Sequence, residues 1–463
     1  MGKQNTIAIF DIGKTNKKLF LFDEQYKILF EESEKFEEIK DEDGFPCEDL
    51  QALTKWVWEK FWQITSHSDY NVRAVNFSAY GASLVHLNDL YKPLTPLYNY
   101  LKPYPEKLKK KFYDTYGDES VIAKETASPV LGSLNSGMQL YRLKYEQPEI
   151  FAQLKYSLHL PQYLSFVVSS RKASDITSVG CHTQLWDFRK NKYHRWVYAE
   201  ALRTKFPPIY RGDKIVHLPN DTRNVAIGIG LHDSSSALIP YLKLFNEPFV
   251  LLSTGTWSIS LNPFNYSTLT DYELHNDCLC YLNYQGKPVK ASRLFAGYEH
   301  EEQVKRLASH FNKELNYYKT ILFDNSLLAK LQRMNVPIKI SSDTAMLQRS
   351  AFGKRSLNSF ETYEEAYHQL MLDIMTQQIF STKLVLEQTP VKKIFVDGGF
   401  SKNDVFMHLL ASAFPNVKVY AANITQASAL GAALVLHDHL SKKNIPSNLI
   451  DLKHYAVKSN VII

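Results

Sequence analysis

The sequence predicts an α/β protein built from two topologically similar halves that meet near residues 241–248 and leave a cleft between them. Three observations lead there. The chain has 463 residues, well past the roughly 250–300 at which a single core stops growing. A β-hairpin with a small polar tip occurs near residue 13 and again near residue 255. In each half an amphipathic helix leads to a strand that ends in a glycine turn. Clefts between domains are where ligands sit.

The elements follow in order. Residues 6–10 and 18–22 are β-rich runs on either side of a polar turn containing glycine and asparagine, which predicts a hairpin. Residues 50–64 carry apolar side chains at helical spacing. Residues 72–77 read as a buried strand, followed by a turn at Tyr80-Gly81-Ala82 and a strand at 84–87. Residues 91–127, rich in Pro, Tyr and Lys, read as an irregular excursion, and 151–168 as a helix around Pro161. An apolar strand at 225–230 runs into His232-Asp233-Ser234-Ser235-Ser236, with a helix continuing over 237–244. Strands at 248–253 and 257–261 flank Thr254-Gly255-Thr256. A long helix spans 363–386, with Tyr363, Tyr367, Leu370, Met371, Ile374 and Met375 on one face. A strand at 393–396 enters Asp397-Gly398-Gly399 and then a helix reaching Phe414. A strand at 417–421 and a helix at 428–440 close the pattern.

Composition narrows the function classes. Hydrophobic residues make up 44% and charged residues 22%, a globular balance that excludes disordered, collagenous and coiled-coil chains. The net charge of +6 has no long basic run behind it, so nucleic acid is not an expected partner. No apolar run approaches the roughly 20 residues of a membrane span, and a cytoplasmic protein without a membrane partner is expected. Four cysteines are too few for a disulfide framework. Several short patterns are decoys: the myristoylation-like start Met1-Gly2, the sequons at Asn220 and Asn423, and Gly13-Lys14-Thr15, which ends like a Walker loop but leads into a strand.

Four motifs carry chemistry. In Asp11-Ile12-Gly13-Lys14-Thr15-Asn16 a tight turn lets backbone N–H groups converge on an anion. Thr15 and Asn16 add donors, and Lys14 and Lys17 add positive charge. Asp11 fits beside a phosphate when Mg²⁺ lies between them; an ordinary hairpin turn would use the same residues. The second tip, Ser253-Thr254-Gly255-Thr256, has the same economy of hydroxyls and glycine. In Asp397-Gly398-Gly399-Phe400-Ser401-Lys402-Asn403 two glycines permit close approach of a flat ligand such as adenosine, and the small residues 427–433 back the same wall or simply pack closely. Finally, Gly230-Leu231-His232-Asp233-Ser234 hands a strand to a helix. Asp233 there is either a helix cap or an ionised base that takes a hydroxyl proton during phosphoryl transfer.

Taken as an ordered set, these four motifs resemble the FGGY family of carbohydrate kinases over nearly the whole chain. The resemblance implies two actin-like, ribonuclease-H-like domains flanking a central cleft: 1–244 with the sugar site and first phosphate loop, and 245–463 with the nucleotide site. ATP and Mg²⁺ are the implied cofactors and a sugar the implied substrate, with a homodimer as the expected assembly. Carried over by position, Asp233 matches the catalytic base and Asp11 the metal side. Gly13, Lys14, Thr15, Asn16 and Lys17 match the first phosphate loop, and Thr254, Gly255 and Thr256 the second. Gly398, Gly399 and Asn403 match the adenosine motif. Gly81, His232 and Ser234 fall on the sugar side, and Arg293 and Gln303 are candidates for further sugar and nucleotide contacts.

Leu160-Pro161-Gln162-Tyr163-Leu164, Thr177 and Thr183-Gln184-Leu185-Trp186-Asp187 look most like the rhamnulose and fuculose kinases. Departures from the family pattern are Lys14, at a position more often small or hydroxylic, Asp397, where glycine is common, and Tyr80-Gly81-Ala82, which lacks the usual polar or Trp residues of those branches. The expected activity is ATP-dependent phosphorylation of a ketose, with L-rhamnulose or L-fuculose favoured. The alternatives are a pentulose or polyol kinase, or a non-catalytic sugar or nucleotide sensor on the same fold.

Overall fold

The computed structural model describes residues 3–218, 224–334 and 350–457. The Met1-Gly2 start and the sequon at Asn220 lie outside the described residues. The chain forms two compact α/β units. Unit 1 comprises Met1–Phe245, Cys280–Pro288 and Thr425–Leu449, and unit 2 comprises Asn246–Leu279, Val289–Ile424 and Ile450–Ile463. Neither is one stretch of sequence, so the division differs from a single break at residue 244.

In unit 1 the hairpin Gln4–Ile12 and Lys17–Phe22 is antiparallel, with Ile12 opposite Lys17. Strand Gln4–Ile12 also pairs in parallel with Tyr70–Ala79, which in turn pairs in parallel with Ala226–Gly228 and Leu231–His232. The inner strands are almost entirely buried, as parallel strands covered on both faces must be. Helix Leu50–Thr65 is capped by Asp49, whose side chain accepts from the Ala52 N–H. It buries Leu53, Val57 and Phe61 in a core shared with Phe10, Phe77 and Leu164.

Three sequence expectations for this unit need correction. Residues 91–127 are not simply irregular, because helices Glu106–Tyr116 and Glu119–Thr126 lie within them. The prolines that suggest a loop end at Pro105, which sits as the N-cap of the first of these helices. Phe112 then anchors it, edge-on to Tyr141 and Trp196 with ring centroids 5.0 and 5.2 Å away. The single helix expected over 151–168 is instead helix Pro148–Gln153, strand Tyr156–His159 and helix Leu160–Ser169. Pro161 occupies the first turn of the last helix, where a missing N–H costs nothing. The helix expected over 428–440 divides into Ala427–Leu434 and His437–Leu440.

Among the described residues the sheet of unit 2 has seven strands in the order Cys278–Leu282, Pro288–Leu294, Ser258–Asn262, Phe249–Thr254, Lys393–Gly398, Lys418–Asn423 and Asp451–Tyr455. The central pairs Phe249–Thr254 with Lys393–Gly398 and Lys393–Gly398 with Lys418–Asn423 are parallel. Helix Tyr363–Leu386 begins at Thr362, whose hydroxyl accepts from the Glu365 N–H. It buries Tyr367, Leu370, Met371, Ile374 and Met375 against Val250, Leu252 and Ile394. All four cysteines are buried thiols. Among the described residues no helix is long and apolar enough to cross a membrane.

Candidate active site

Strand register gathers the first group of residues. Asp11 lies opposite Ser78, and Ser78 opposite Leu231, so three adjacent parallel strands end in one row. Ligands in such sheets bind beyond the carboxyl ends of the strands. Asp233 follows two residues later as the first residue of helix Asp233–Leu244, where the helix dipole favours its charged form. The Ser234 N–H and hydroxyl both donate to Asp233 Oδ1, at 2.5 and 3.2 Å. About a third of the Asp233 side chain remains exposed, at 35%. Burial still raises its pKa to about 6, against the lowering effect of the Ser234 hydrogen bonds.

Asp11 is held similarly. Burial raises it to about 6, hydrogen bonds from Ser428 and Ser78 oppose the rise, and the Asp233 charge adds to it. The Ser428 hydroxyl donates to Asp11 Oδ2 at 2.7 Å. Two buried carboxyls, one of them feeling the charge of the other, form an oxygen set that suits a hard divalent cation. Asp11 and Asp233 therefore fit Mg²⁺ on the chemistry of their donors.

The turn Gly230–Asp233 is braced from outside its own segment. Gln162 Nε2 donates to the Gly230 carbonyl at 2.9 Å, and the Ser165 hydroxyl to the Gly228 carbonyl at 2.8 Å. Gly230 has φ +86°, and a Cβ there would fall 2.4 Å from the Pro161 carbonyl oxygen, so only glycine fits. The His232 N–H donates to Thr177 Oγ1 at 3.0 Å, and Thr177 in turn donates to buried Asp175. Pro161, Gln162 and Thr177, singled out in the sequence for their resemblance to one family branch, thus shape this turn. The His232 ring lies against Gly81, where a Cβ would come within 2.8 Å of it. Burial lowers the His232 pKa to about 4, so the ring is neutral.

The first hairpin tip differs from its expectation at Lys17. The Gly13 N–H donates to the Asn16 carbonyl at 2.9 Å, which closes the turn, and Thr15 is exposed. Lys17 is buried: its ammonium pairs with Glu48 at 2.6 Å and donates to the Lys14 carbonyl at 3.0 Å. Strand alternation turns Lys17 into the unit, so it supports the tip from within and offers no charge at its surface. Lys14 is half-buried and pairs with Glu38 at 2.6 Å.

Unit 2 builds the second tip from close backbone approach. Thr254 lies opposite both Ser258 and Gly398 in the sheet, and the Gly255 N–H donates to the Trp257 carbonyl at 2.8 Å. Gly398 has φ +85°, and a Cβ would sit 1.8 Å from the Thr254 carbonyl oxygen. Thr254 is buried and structural: its hydroxyl donates to the Asp397 carbonyl and accepts from the Phe400 N–H at 3.0 Å. Gly297 packs as tightly, with a Cβ position 1.8 Å from the Gly255 carbonyl oxygen.

These approaches open a cavity of about 720 Å³ lined by Gly255, Thr256, Gly297, His300, Tyr318, Gly399, Lys402 and Asn403, among others, a volume typical of ligand pockets. Lys305, Lys319 and Lys402 face Glu301 and Asp404 around it, a slight excess of positive charge. Asn403 also caps helix Asp404–Ala413 and donates to the Tyr367 hydroxyl at 2.6 Å.

The structure leaves three sequence candidates outside this arrangement. Gln303 is off the lining face of helix Ala296–His310, which is centred on Gly297, Glu301 and Val304; it turns instead to Arg306, which donates to it at 3.3 Å. Arg293 grips Asp277 through two hydrogen bonds of 2.6 and 3.1 Å and lies 5.4 Å from the Trp257 ring centroid. Residues 427–433 pack and do not line the unit 2 cavity: Gly431 lets helix Ala427–Leu434 reach the Ser236 carbonyl, where a Cβ would lie 1.8 Å away. Sequence reading missed His300, Tyr318 and Ser428. Among these Ser428 lay within the flagged stretch of small residues 427–433, though its reach to Asp11 was not read from it.

Comparison with known proteins agrees with this architecture. The model of the N-terminal domain of the FGGY family of carbohydrate kinases matches residues 6–239, and that of the carbohydrate kinase FGGY C-terminal domain matches residues 246–444. A rhamnulokinase from Halalkalibacterium halodurans is 24% identical over 448 residues, 91% of each chain. Among solved structures, a carbohydrate kinase from Novosphingobium aromaticivorans superposes with a TM-score of 0.81 at 23% identity, covering 99% of this chain and 96% of that one. A ligand-bound xylulose kinase from Lactobacillus acidophilus gives 0.77 at 17% identity, covering 98% and 94%. The shared fold is the actin-like two-domain α/β fold of these kinases.

Proposed function

The chain belongs to the FGGY family of carbohydrate kinases, enzymes that use ATP with Mg²⁺ to phosphorylate sugars, and from that premise we propose that it phosphorylates a hydroxyl of a 6-deoxyketohexose such as L-rhamnulose or L-fuculose, with Asp233 as general base. The observation that carries the reading is the placement of Asp233, which begins a helix just past the row of strand ends that holds Asp11. The rhamnulokinase relative supports the sugar class. So do Pro161, Gln162 and Thr177, the residues that shape the Gly230–Asp233 turn.

In this mechanism the sugar hydroxyl oxygen bonds to the γ-phosphorus of ATP, the bond from that phosphorus to the bridging oxygen breaks, ADP leaves, and the hydroxyl proton passes to the Asp233 carboxylate. A carboxyl raised to about 6 is still ionised at neutral pH and is a stronger base than an ordinary aspartate. Asp11 would hold Mg²⁺, which would supply positive charge against the phosphate oxygens. The Gly13–Asn16 turn and the Gly255–Thr256 tip donate to phosphates, while Gly398, Gly399 and Asn403 form the nucleotide wall. His232, pressed against Gly81, faces the sugar.

The test is ADP release from ATP and Mg²⁺ against a panel of ketoses, polyols and aldoses, with Asp233→Asn in parallel. Turnover is expected with one 6-deoxyketohexose, falling about 10²–10⁴-fold in the variant while nucleotide affinity is retained. Turnover with a pentulose or polyol instead would replace the sugar assignment. Lost nucleotide binding in Asp233→Asn would overturn the role given to that residue.

A further inference from the structure

Beside the carboxylate pair lies a cluster of different chemistry. Cys181, His182 and His232 place the thiol sulfur and one nitrogen of each ring within 4.8 Å of one another. Cys181 Sγ is 3.2 Å from His232 Nε2. His182 Nδ1 lies 3.2 Å from the Leu134 carbonyl. That oxygen can only accept, so Nδ1 carries the proton and Nε2 keeps its lone pair. His232 Nδ1 is 3.4 Å from the Ser235 hydroxyl. Each ring is therefore tied by one nitrogen to an oxygen outside the cluster, the arrangement that orients metal-ligating histidines.

We propose that Cys181, His182 and His232 form a binding site for a borderline-soft divalent cation of the Zn²⁺ class. One thiolate and two neutral imidazoles suit zinc and its neighbours and disfavour Mg²⁺, which the oxygen set of Asp11 and Asp233 suits instead. Zinc–sulfur and zinc–nitrogen bonds of about 2.3 and 2.0 Å put tetrahedral ligand atoms roughly 3.2–3.8 Å apart. The Cys181–His232 pair already has that spacing, and the widest pair closes by about an ångström. Three protein ligands leave a fourth position open, and Asp233 Oδ1 is 3.3 Å from His232 Nε2. A cation here places its charge next to Asp233 and lowers turnover; this consequence rests on the kinase reading, whereas the binding site does not.

Co²⁺ in place of Zn²⁺ tests the site without any measurement of activity. The full chain is expected to take up one Co²⁺ with near-ultraviolet thiolate-to-cobalt charge-transfer absorption. Zn²⁺ should displace it and tenfold excess Mg²⁺ should not. Cys181→Ser removes the absorption, and His182→Gln, at a half-buried position that is easier to substitute, weakens Co²⁺ binding at least about tenfold. Cys278→Ser changes neither. Absence of the charge-transfer band in the wild-type chain, or its persistence in Cys181→Ser, overturns the proposal. Zn²⁺ titrated into the ADP-release assay under excess Mg²⁺ is expected to inhibit the wild type and spare Cys181→Ser. Zn²⁺ binding without inhibition overturns the consequence alone.

Discussion

The two hairpin tips have the same plan and opposite support. The first, at Gly13–Asn16, stands on a buried ion pair, with Lys17 on Glu48 at 2.6 Å and both side chains under 5% exposed. The second, at Thr254–Thr256, stands on backbone packed against glycine, with Gly398 and Gly297 each admitting a carbonyl oxygen where no Cβ fits. Unit 1 also gathers carboxyls whose pKa burial has raised, Asp11, Asp175 and Asp233. The difference teaches that one local shape can be stabilised by charge or by close contact, and that each fails to a different substitution.

The sharpest break in the first tip is Lys17→Met. It leaves Glu48 buried without its cation, so a loss of about 3–5 kcal/mol is expected in denaturant unfolding; a loss under 1 kcal/mol would mean that the pair contributes little. In the second tip Gly398→Ala costs about 1–3 kcal/mol from the backbone conformation alone, and the displaced Thr254 carbonyl should weaken nucleotide binding measured by calorimetry. Gly399→Ala is the control: a Cβ there meets nothing within 4 Å, and stability should stay within about 0.5 kcal/mol.

A pH series sharpens the contrast in unit 1. Burial raises Asp175 to about 7, opposed by hydrogen bonds from Thr177 and Ser178. The folded chain keeps this proton up to about pH 7, whereas the unfolded chain releases it near the ordinary value of 3.8. The stabilising contribution is therefore complete below pH 4 and declines as pH rises to 7, by up to about 1.4 kcal/mol per unit. Asp175→Asn keeps an acceptor for Thr177 and does not ionise, so the stability of the variant relative to wild type should increase from pH 4 to 7. A constant difference across that window would refute the raised pKa. A small effect is expected for Lys14→Ala as well, which removes a partly exposed pair with Glu38 and should change stability by less than about 1 kcal/mol.

By itself the sequence determined the α/β class, both hairpins, the long helix Tyr363–Leu386 and the order of the four motifs. These depend on alternation, helical spacing and turn chemistry within a few residues, which remain legible without a fold. It could not set the direction of Lys17, because whether a tip lysine faces solvent or a buried glutamate depends on Glu48, 31 residues away in the sequence. Nor could it reveal that Ser428 reaches Asp11 across 417 residues, or that Cys181 and His182 meet His232. Those contacts are made by separate elements whose meeting is selected by burial of the whole unit, and local residue patterns carry no record of it.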